Sequence, residues 1–364
     1  MADPHGGTLA VYEREAPRWE AERSASLAGA RAFAAGLDTL GSSDGPVVAD
    51  LGCGPGWHLP ALPDGAIALD GAAAMLDLVP AHAPRSPRVR ADLRALPFAR
   101  HSLDGAWANK AYVHIDRRLM PMALWDLHRV LRVGGRAELG LFGGDTDLGP
   151  FPGDDFPGRV FSSWPADLLR HVLTGAGFSI VSFETDGEPP SERHSVGIVR
   201  VRTLADVVGP GMDLLLCGLN PSVYSADRGV GFARPGNRAW PALLASGLAR
   251  IDRDPIALLG RGVGMTDLIK RATPNAKELT RDEYRAGFAR LDALCSWLRP
   301  GAVCVVGLTG WREASGDRSA GTGWQEVTLG GRPVYLMPNP SGANAHTNVD
   351  DLAAHFRAAR SGQP

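Results

Sequence analysis

Cysteine is scarce in this chain: its 364 residues include four, Cys53, Cys217, Cys295 and Cys304, and no two of them form a C-x-x-C pair. Structural zinc, iron–sulfur clusters and disulfide frameworks need thiols at short spacing, so none of these is expected, and no metal. Long hydrophobic runs are missing too. No stretch approaches about 18 consecutive apolar residues, and the N-terminal stretch is acidic and polar where a secretory leader would be basic and then apolar. A soluble cytoplasmic protein with no membrane partner is expected. Aromatics make up 7% of residues, without repeat or low-complexity run, which excludes solenoids, coiled coils and disordered chains. Neither sign of charge dominates. The net charge is -2, with 20 Lys+Arg against 25 Asp+Glu over residues 1–203 and 18 against 15 over residues 204–364. The mildly basic second half permits contact with nucleic-acid phosphates without demanding it.

What is present reads as two halves. The length exceeds one comfortable core, so two domains are expected, residues 1–204 and 205–364. Apolar runs at 47–51, 66–69, 105–108 and 136–142 alternate with helical patterns at 72–79 and 119–131, the second carried by Leu124, Leu127, Val130 and Leu131 and stopped by Gly134-Gly135. Strand alternating with helix predicts a mostly parallel sheet covered on both faces. Runs at 178–183 and 196–201 around a Pro-rich turn predict an antiparallel pair closing its edge. The alternation restarts after Gly209-Pro210-Gly211: strand 213–217, helices 238–249 and 281–298, strands 302–308 and 333–337, and a terminal helix 350–360. The segment between residues 143 and 165, rich in Gly, Pro, Asp and Phe, reads as a loop or lid over the first domain's site. The expected fold is α/β, two three-layer domains.

The first half carries Asp50-Leu51-Gly52-Cys53-Gly54-Pro55-Gly56 between a strand and a helix, Asp70 at the end of the next strand, and Ala91-Asp92-Leu93 before Pro97-Phe98. Glycines let the backbone turn sharply and approach a ligand, and an acid after the second strand can accept both ribose hydroxyls. This motif series, over about residues 40–145, resembles the class I S-adenosylmethionine-dependent methyltransferases, whose sheet is Rossmann-like. The resemblance implies S-adenosyl-L-methionine as cofactor. Asp50 and Gly52 would face its amino-acid end, Gly54 and Gly56 would form the turn, Asp70 would hold the ribose and Asp92 the adenine amine, with Leu93 against the ring. Base-amine methylation needs an Asp/Asn-Pro-Pro-aromatic stretch where Asn109-Lys110-Ala111-Tyr112 stands, and cytosine C5 methylation needs a Pro-Cys nucleophile. Both are missing, so the resemblance argues against DNA base methylation and leaves the methyl acceptor unknown. Tyr112 and His114 are possible acceptor-side groups, with packing or capping as the alternative.

In the second half, Gly218-Leu219-Asn220-Pro221, Phe232-Ala233-Arg234-Pro235-Gly236-Asn237-Arg238, Gly264-Met265-Thr266-Asp267-Leu268 and Asn339-Pro340-Ser341-Gly342 stand in order. Polar, proline-bearing loops at the carboxyl ends of parallel strands are where an open α/β sheet places its ligand. The four stretches resemble the mismatch-specific uracil and thymine DNA glycosylases of the uracil-DNA glycosylase superfamily, over about residues 211–360. The resemblance implies a parallel sheet flanked by helices and a base flipped out of double-stranded DNA containing mismatched uracil or thymine. Asn220 would orient the attacking water. Leu219, Phe232 and Asn339 would contact the base, while Ser341, Gly342, Ala343 and Asn344, with Arg234 and Arg238, would contact the DNA. An amide is a weak base, so a slow enzyme is expected. Ser222 replaces the family's usual glycine, and Ala343 and Ala345 replace larger side chains of the wedge loop. No lysine falls in the matched loops, so no Schiff base is expected. Two alternatives remain at this point: a lesion-binding module in place of the glycosylase, and methylation of RNA or a small molecule as the principal activity.

Overall fold

The computed structural model describes residues 4–37, 45–342 and 347–362. Two compact units emerge, residues 1–170 with 178–201, and residues 171–177 with 202–364. Both are α/β, as the alternating pattern predicts.

Two helices open the chain, α1 (Pro4–Glu22) and α2 (Ala28–Ala35). Then follow β1 (Val48–Leu51), β2 (Ile67–Asp70), α3 (Ala73–Leu76), α4 (Val79–His82), β3 (Arg88–Arg90), β4 (Leu103–Asn109), α5 (Met120–Val130), β5 (Leu131–Gly143), β6 (Ser163–Trp164), α6 (Ala166–Gly175), β7 (Phe178–Asp186) and β8 (Arg193–Arg200). The sheet runs β3-β2-β1-β4-β5-β8-β7, with β6 beside the end of β5. Strands β3, β2, β1, β4 and β5 are parallel, whereas β8 pairs antiparallel with both β5 and β7, forming the expected closing pair. All four residues of β1 are buried, as a central parallel strand covered on both faces requires. The single helix expected over 72–79 is two short ones, because Pro80 in the first turn of α4 lacks the N–H that would continue α3. The sequence pattern did not predict α1, whose apolar periodicity is weak and which contains Pro17.

The second unit continues with β9 (Leu214–Gly218), α7 (Val223–Arg228), α8 (Ala239–Ala245), α9 (Pro255–Leu259), β10 (Val263–Asp267), α10 (Arg281–Leu298), β11 (Ala302–Val306), α11 (Leu308–Ser315), β12 (Gly323–Trp324), β13 (Val334–Met337) and α12 (Val349–Arg360). Its order is β10-β9-β11-β13-β12. Four strands are parallel; the two-residue β12 is antiparallel to β13, a departure from the expected parallel sheet. The strand expected over 302–308 stops at Val306, where Gly307 takes φ 103° and turns the chain into α11. Reciprocal capping boxes fix the starts of α10 (Thr280 with Glu283) and α12 (Asn348 with Asp351). The core includes Leu215, Cys217, Leu291, Cys295, Val303, Trp311, Val334 and Leu336.

One polar cluster lies under the end of β10. Asp206, 3% exposed, accepts from Lys270 Nζ at 2.7 Å, Arg290 NH1 at 2.8 Å and Thr266 Oγ1 at 2.6 Å. Burial alone would raise the Asp206 pKa, but the Arg290 and Lys270 charges outweigh it and hold the carboxyl below its usual range. Arg290 NH2 also donates to the Asp267 carbonyl at 2.6 Å, tying the cluster to the end of β10.

Candidate functional sites

In the first unit the strand order reverses between β1 and β4, and an open α/β sheet binds its ligand at the carboxyl ends there. The glycine loop leaves β1 at that point. Gly52, Gly54 and Gly56 all have positive φ, 72°, 55° and 91°. A side chain at Gly52 would reach 2.4 Å from Ala111 Cβ, so only glycine fits there, whereas the space over Gly54 is open. Asp70 accepts from Gly54 N at 2.9 Å and from Ala72 N at 2.8 Å, so it shapes the loop as well as ending β2. Asp50 is 1% exposed and its Oδ2 has no hydrogen-bond partner among the described residues. Burial, then the neighbouring Asp70, push its pKa well above the carboxylate range. An orphaned buried carboxyl oxygen beside open glycine backbone fits the ammonium and amino-acid end of S-adenosylmethionine. Asp92 lies in the exposed loop after β3, where Arg94 Nε donates to its Oδ1 at 3.0 Å and Arg94 NH2 to its Oδ2 at 2.6 Å. An adenine amine would therefore have to share or displace that ion pair. Leu93 beside it is half-buried.

The segment read as a loop or lid is held against α1. Glu13 accepts from Ala73 N and Ala74 N, both at 2.9 Å, fastening α1 to the start of α3. Arg159, in the segment after β5, donates to Tyr12 Oη at 2.9 Å, and that hydroxyl lies 2.9 Å from His114 Nε2. His114 Nδ1 lies 2.7 Å from the Val160 carbonyl and must be the donor there, which leaves Nε2 to accept from Tyr12. Burial pushes the Tyr12 pKa up to about 12 against the opposing Arg159 charge, so the phenol keeps its proton. The Arg159 guanidinium also sits 4.9 Å from the Trp19 ring centre and 5.2 Å from that of Phe156, and it pairs with Asp154. His114 thus ties α1 to the segment after β5, and Tyr112 is wholly buried.

In the second unit the four matched stretches converge on the carboxyl ends of the strands. Leu268 N donates to Gly218 O and Ile269 N to Leu219 O, both at 2.9 Å, which extends the β9/β10 pairing into the loops. Asn220 follows. Its Nδ2 donates to Thr273 Oγ1 at 2.8 Å and to Arg271 O at 3.0 Å, while Oδ1 receives no donor among the described residues. Ser222 caps α7 by accepting from Ser225 N, at φ -71°, so this position does not need the conformational freedom of glycine. Phe232 adopts φ 56°, rare for a bulky residue. A Cβ on Gly218 would lie 3.3 Å from the tip of its ring and 2.5 Å from Asp267 Oδ1. The bare backbone of Gly218 therefore brings Phe232 and Asp267 together.

Asp267 is the residue that sequence reasoning missed. It is 9% exposed, and its carboxylate makes no hydrogen bond among the described residues. Burial raises its pKa to about 6, with Lys270 opposing. A Thr-Asp-Leu triplet after a strand gave no sign that its acid would face the ring of a residue so far upstream.

The structure gives the surroundings of three expected contacts. Leu219 turns its side chain onto Gly310 in the core, which leaves only its backbone for a base. Arg238 donates to the carbonyls of Thr347 and, at 2.8 Å, Ser341, so its guanidinium is engaged within the fold and has little capacity left for a phosphate. Asn339 is exposed and accepts from Ser341 N at 2.9 Å, within its own turn. Gly342 fits tightly against the Gly236 carbonyl, and Arg238 N donates to Pro340 O at 2.9 Å, so the second and fourth stretches form one rim. Arg234 on that rim is exposed, with no partner among the described residues. Ala343 and Asn344 lie outside the described residues. Among the described residues no three His, Cys, Asp or Glu side chains gather as a metal set, and no helix is long and apolar enough to cross a membrane.

Comparison with known proteins gives two matches in series. Residues 48–135 match the family model described as a methyltransferase domain, and residues 205–360 that of the uracil DNA glycosylase superfamily. Among solved structures, a Burkholderia thailandensis 1,6-didemethyltoxoflavin-N1-methyltransferase with bound S-adenosylhomocysteine is 20% identical, covering 55% of this chain and 92% of its own, with TM-score 0.43. A magnesium protoporphyrin IX methyltransferase from Synechocystis, also with S-adenosylhomocysteine, is 19% identical over 54% of this chain and 100% of its own, with TM-score 0.42. A Mesorhizobium loti S-adenosylmethionine-dependent methyltransferase is 22% identical over 48% and 100%, with TM-score 0.37.

Proposed function

We propose that this chain, a methyltransferase domain fused to a uracil DNA glycosylase superfamily domain, excises uracil or a related pyrimidine from mismatched double-stranded DNA for base excision repair. The observation that supports the reading is Asn220, whose amide nitrogen is held by Thr273 and Arg271 while its oxygen receives no donor among the described residues.

Hydrolysis of an N-glycosidic bond adds water to C1′ while the base departs with the bonding electrons, through a sugar of oxocarbenium character. Asn220 Oδ1 would accept from that water and aim it. Phe232 would stack on the flipped base, in a backbone conformation fixed before substrate arrives. Asp267, beside that ring, would carry negative charge toward the developing cation and take the proton the water loses. The exposed Arg234 would meet a phosphate, Arg238 would hold Ser341 and Thr347 in place, and Ser341 and Gly342 would touch the strand backbone.

Because burial places the Asp267 pKa near 6, its ionised form grows as pH rises through that value. Single-turnover excision is therefore expected to climb about tenfold per pH unit below 6 and to level above it, and Asp267→Asn to lower the plateau and remove the slope. An unchanged profile in the variant would show that Asp267 takes no part. The reading as a whole is tested with duplexes carrying one G·U, G·T or A·U pair, treated with alkali to reveal abasic sites. Absence of scission on all three, with tight binding to a synthetic abasic site, would replace excision by lesion binding.

The first domain, we propose, binds S-adenosyl-L-methionine, which supplies an electrophilic methyl group on a sulfonium. Asp50 and the glycine loop would hold its amino-acid end and Asp70 its ribose, with Asp92 and Leu93 at the adenine. Asp70→Ala removes the ribose acceptor and the anchor of Gly54 together, and is expected to weaken S-adenosylhomocysteine binding at least tenfold by calorimetry. Equal affinity in the variant would refute the assignment.

A further inference from the structure

The buried cluster under the end of β10 holds more positive charge than its own acid answers. Lys270 Nζ and Arg290 NH1 both donate to the Asp206 carboxylate, at 2.7 and 2.8 Å, and no second acid pairs with either cation among the described residues. Two buried cations on one carboxylate leave one positive charge over. Arg290 Nε, buried as well, finds no acceptor among the described residues. A positive charge held away from water without its counter-charge costs free energy, which a second carboxylate close by would recover.

Asp267 is that carboxylate. Thr266 Oγ1 donates at 2.6 Å to the same Asp206 oxygen that Lys270 engages, and it accepts from Arg290 NH2 at 3.1 Å. Arg290 NH2 also donates to the carbonyl of Asp267 itself at 2.6 Å. Side chains alternate along β10, so Thr266, paired with Cys217, faces the cluster, whereas Asp267, paired with Gly218, faces Phe232. The acid thus fronts the cleft, with the cations behind the backbone that carries it. The charged groups around Asp267 are Asp206 from the segment before β9, Lys270 from the loop after β10 and Arg290 from α10. Cys217 on β9 keeps its proton, because burial pushes its thiol up. Burial raises the Asp267 pKa, and Lys270 is the largest of the influences opposing that rise.

We infer that Lys270 is a positioning residue for excision: Asp206 answers one of the two cations, and the charge of the other keeps the Asp267 carboxylate ionised from behind the cleft. The inference rests on the reading of the second domain as an excising enzyme with Asp267 in its site. The Lys270 ammonium is buried against Asp206, out of reach of a substrate, so it acts only through Asp267. Removing it leaves Asp206 and Arg290 as an evenly charged pair, and the loop keeps an anchor because the Lys270 carbonyl accepts from Thr203 Oγ1.

The test uses the full chain and single-turnover excision from a G·U duplex, followed from about pH 5 to about pH 8.5 around the expected midpoint. Lys270→Met is expected to move that midpoint up by about one unit, a loss of about tenfold on the acid side with the plateau kept in mild alkali. Lys270→Gln, which keeps a donor for Asp206, should move it as far, because the charge is what acts. In an Asp267→Asn background, Lys270→Met should change nothing further. A readout free of turnover is the Asp267 carboxyl resonance in a chain carrying isotope-labelled aspartate, identified by its loss in Asp267→Asn. Its titration should shift together with the rate. A resonance midpoint unmoved in both Lys270 variants, or a rate lowered equally at every pH, overturns the inference. A resonance that moves as expected in a chain that excises nothing overturns the excision reading, and the role of Lys270 in it, without touching the coupling of the two charges.

Discussion

Replacing Asn220 by alanine is expected to lower single-turnover excision of uracil from a G·U duplex by about 10²- to 10³-fold, while affinity for the abasic product changes little. The side chain carries no packing burden that alanine would betray. What it supplies is an acceptor oxygen whose direction is set from behind, by donation of Nδ2 to Thr273 Oγ1 at 2.8 Å and Arg271 O at 3.0 Å. Asn220→Asp sharpens the test. An aspartate keeps an acceptor toward the cleft but sets a carboxylate oxygen against the Arg271 carbonyl, so its orientation fails and the rate should fall nearly as far. An aspartate variant as fast as the parent would mean that the amide's anchoring is irrelevant, and an alanine variant as fast as the parent would remove Asn220 from the reaction. Thr273→Val, which withdraws one anchor, should sit between the parent and Asn220→Ala.

The largest expected loss of stability comes from Asp206→Asn. With Asp206 neutralised, the buried Lys270 and Arg290, each 9% exposed or less, keep their charges without a compensating carboxylate. Removing one partner of a buried ion pair costs about 3–5 kcal/mol, which for a unit of this size is roughly a 10 °C fall in its thermal midpoint. The effect should be confined to the second unit, so a scan of the full chain should retain a transition that S-adenosylhomocysteine still raises. A midpoint within about 2 °C of the parent's would show that water reaches the cluster and screens it. The acid limb gives a second check. A carboxyl whose folded pKa lies below its unfolded value adds stability above the unfolded pKa and loses it as pH falls through the folded one, so the parent's advantage over the variant should vanish in strong acid.

How much of this was legible in advance depended on distance along the chain. The glycine loop could be read because Asp50, Gly52, Gly54 and Gly56 are consecutive in a strand-to-loop turn whose backbone demands are local. Asp70 was legible for the same reason: it ends the strand beside β1. The edge pair β7 and β8, and the long helix α10, were announced by their own periodicity and caps. Least was legible where a side chain's role is decided by what approaches it. Arg238 looks the same in sequence whether it grips a phosphate or the Ser341 carbonyl. Asp92 has Arg94 two residues away, and only the folded loop turns both onto one ion pair. Helix α1 shows weak periodicity because it carries polar anchors, Glu13 toward the start of α3 and Tyr12 toward Arg159, in addition to an apolar stripe.

The sequence by itself determined two α/β units in series, the cofactor-like glycine turn of the first and the four ordered loops of the second. Short-range rules govern all of these: strand period, helix period, and the freedom of glycine where φ must be positive. The tertiary structure alone decided which charges are answered and which are not. Asp206 is buried among two cations and a hydroxyl, and Asp267 is buried beside Phe232 with no donor among the described residues. Burial and the meeting of distant charges follow from how strands are ordered in a sheet, and no local window of sequence contains that order.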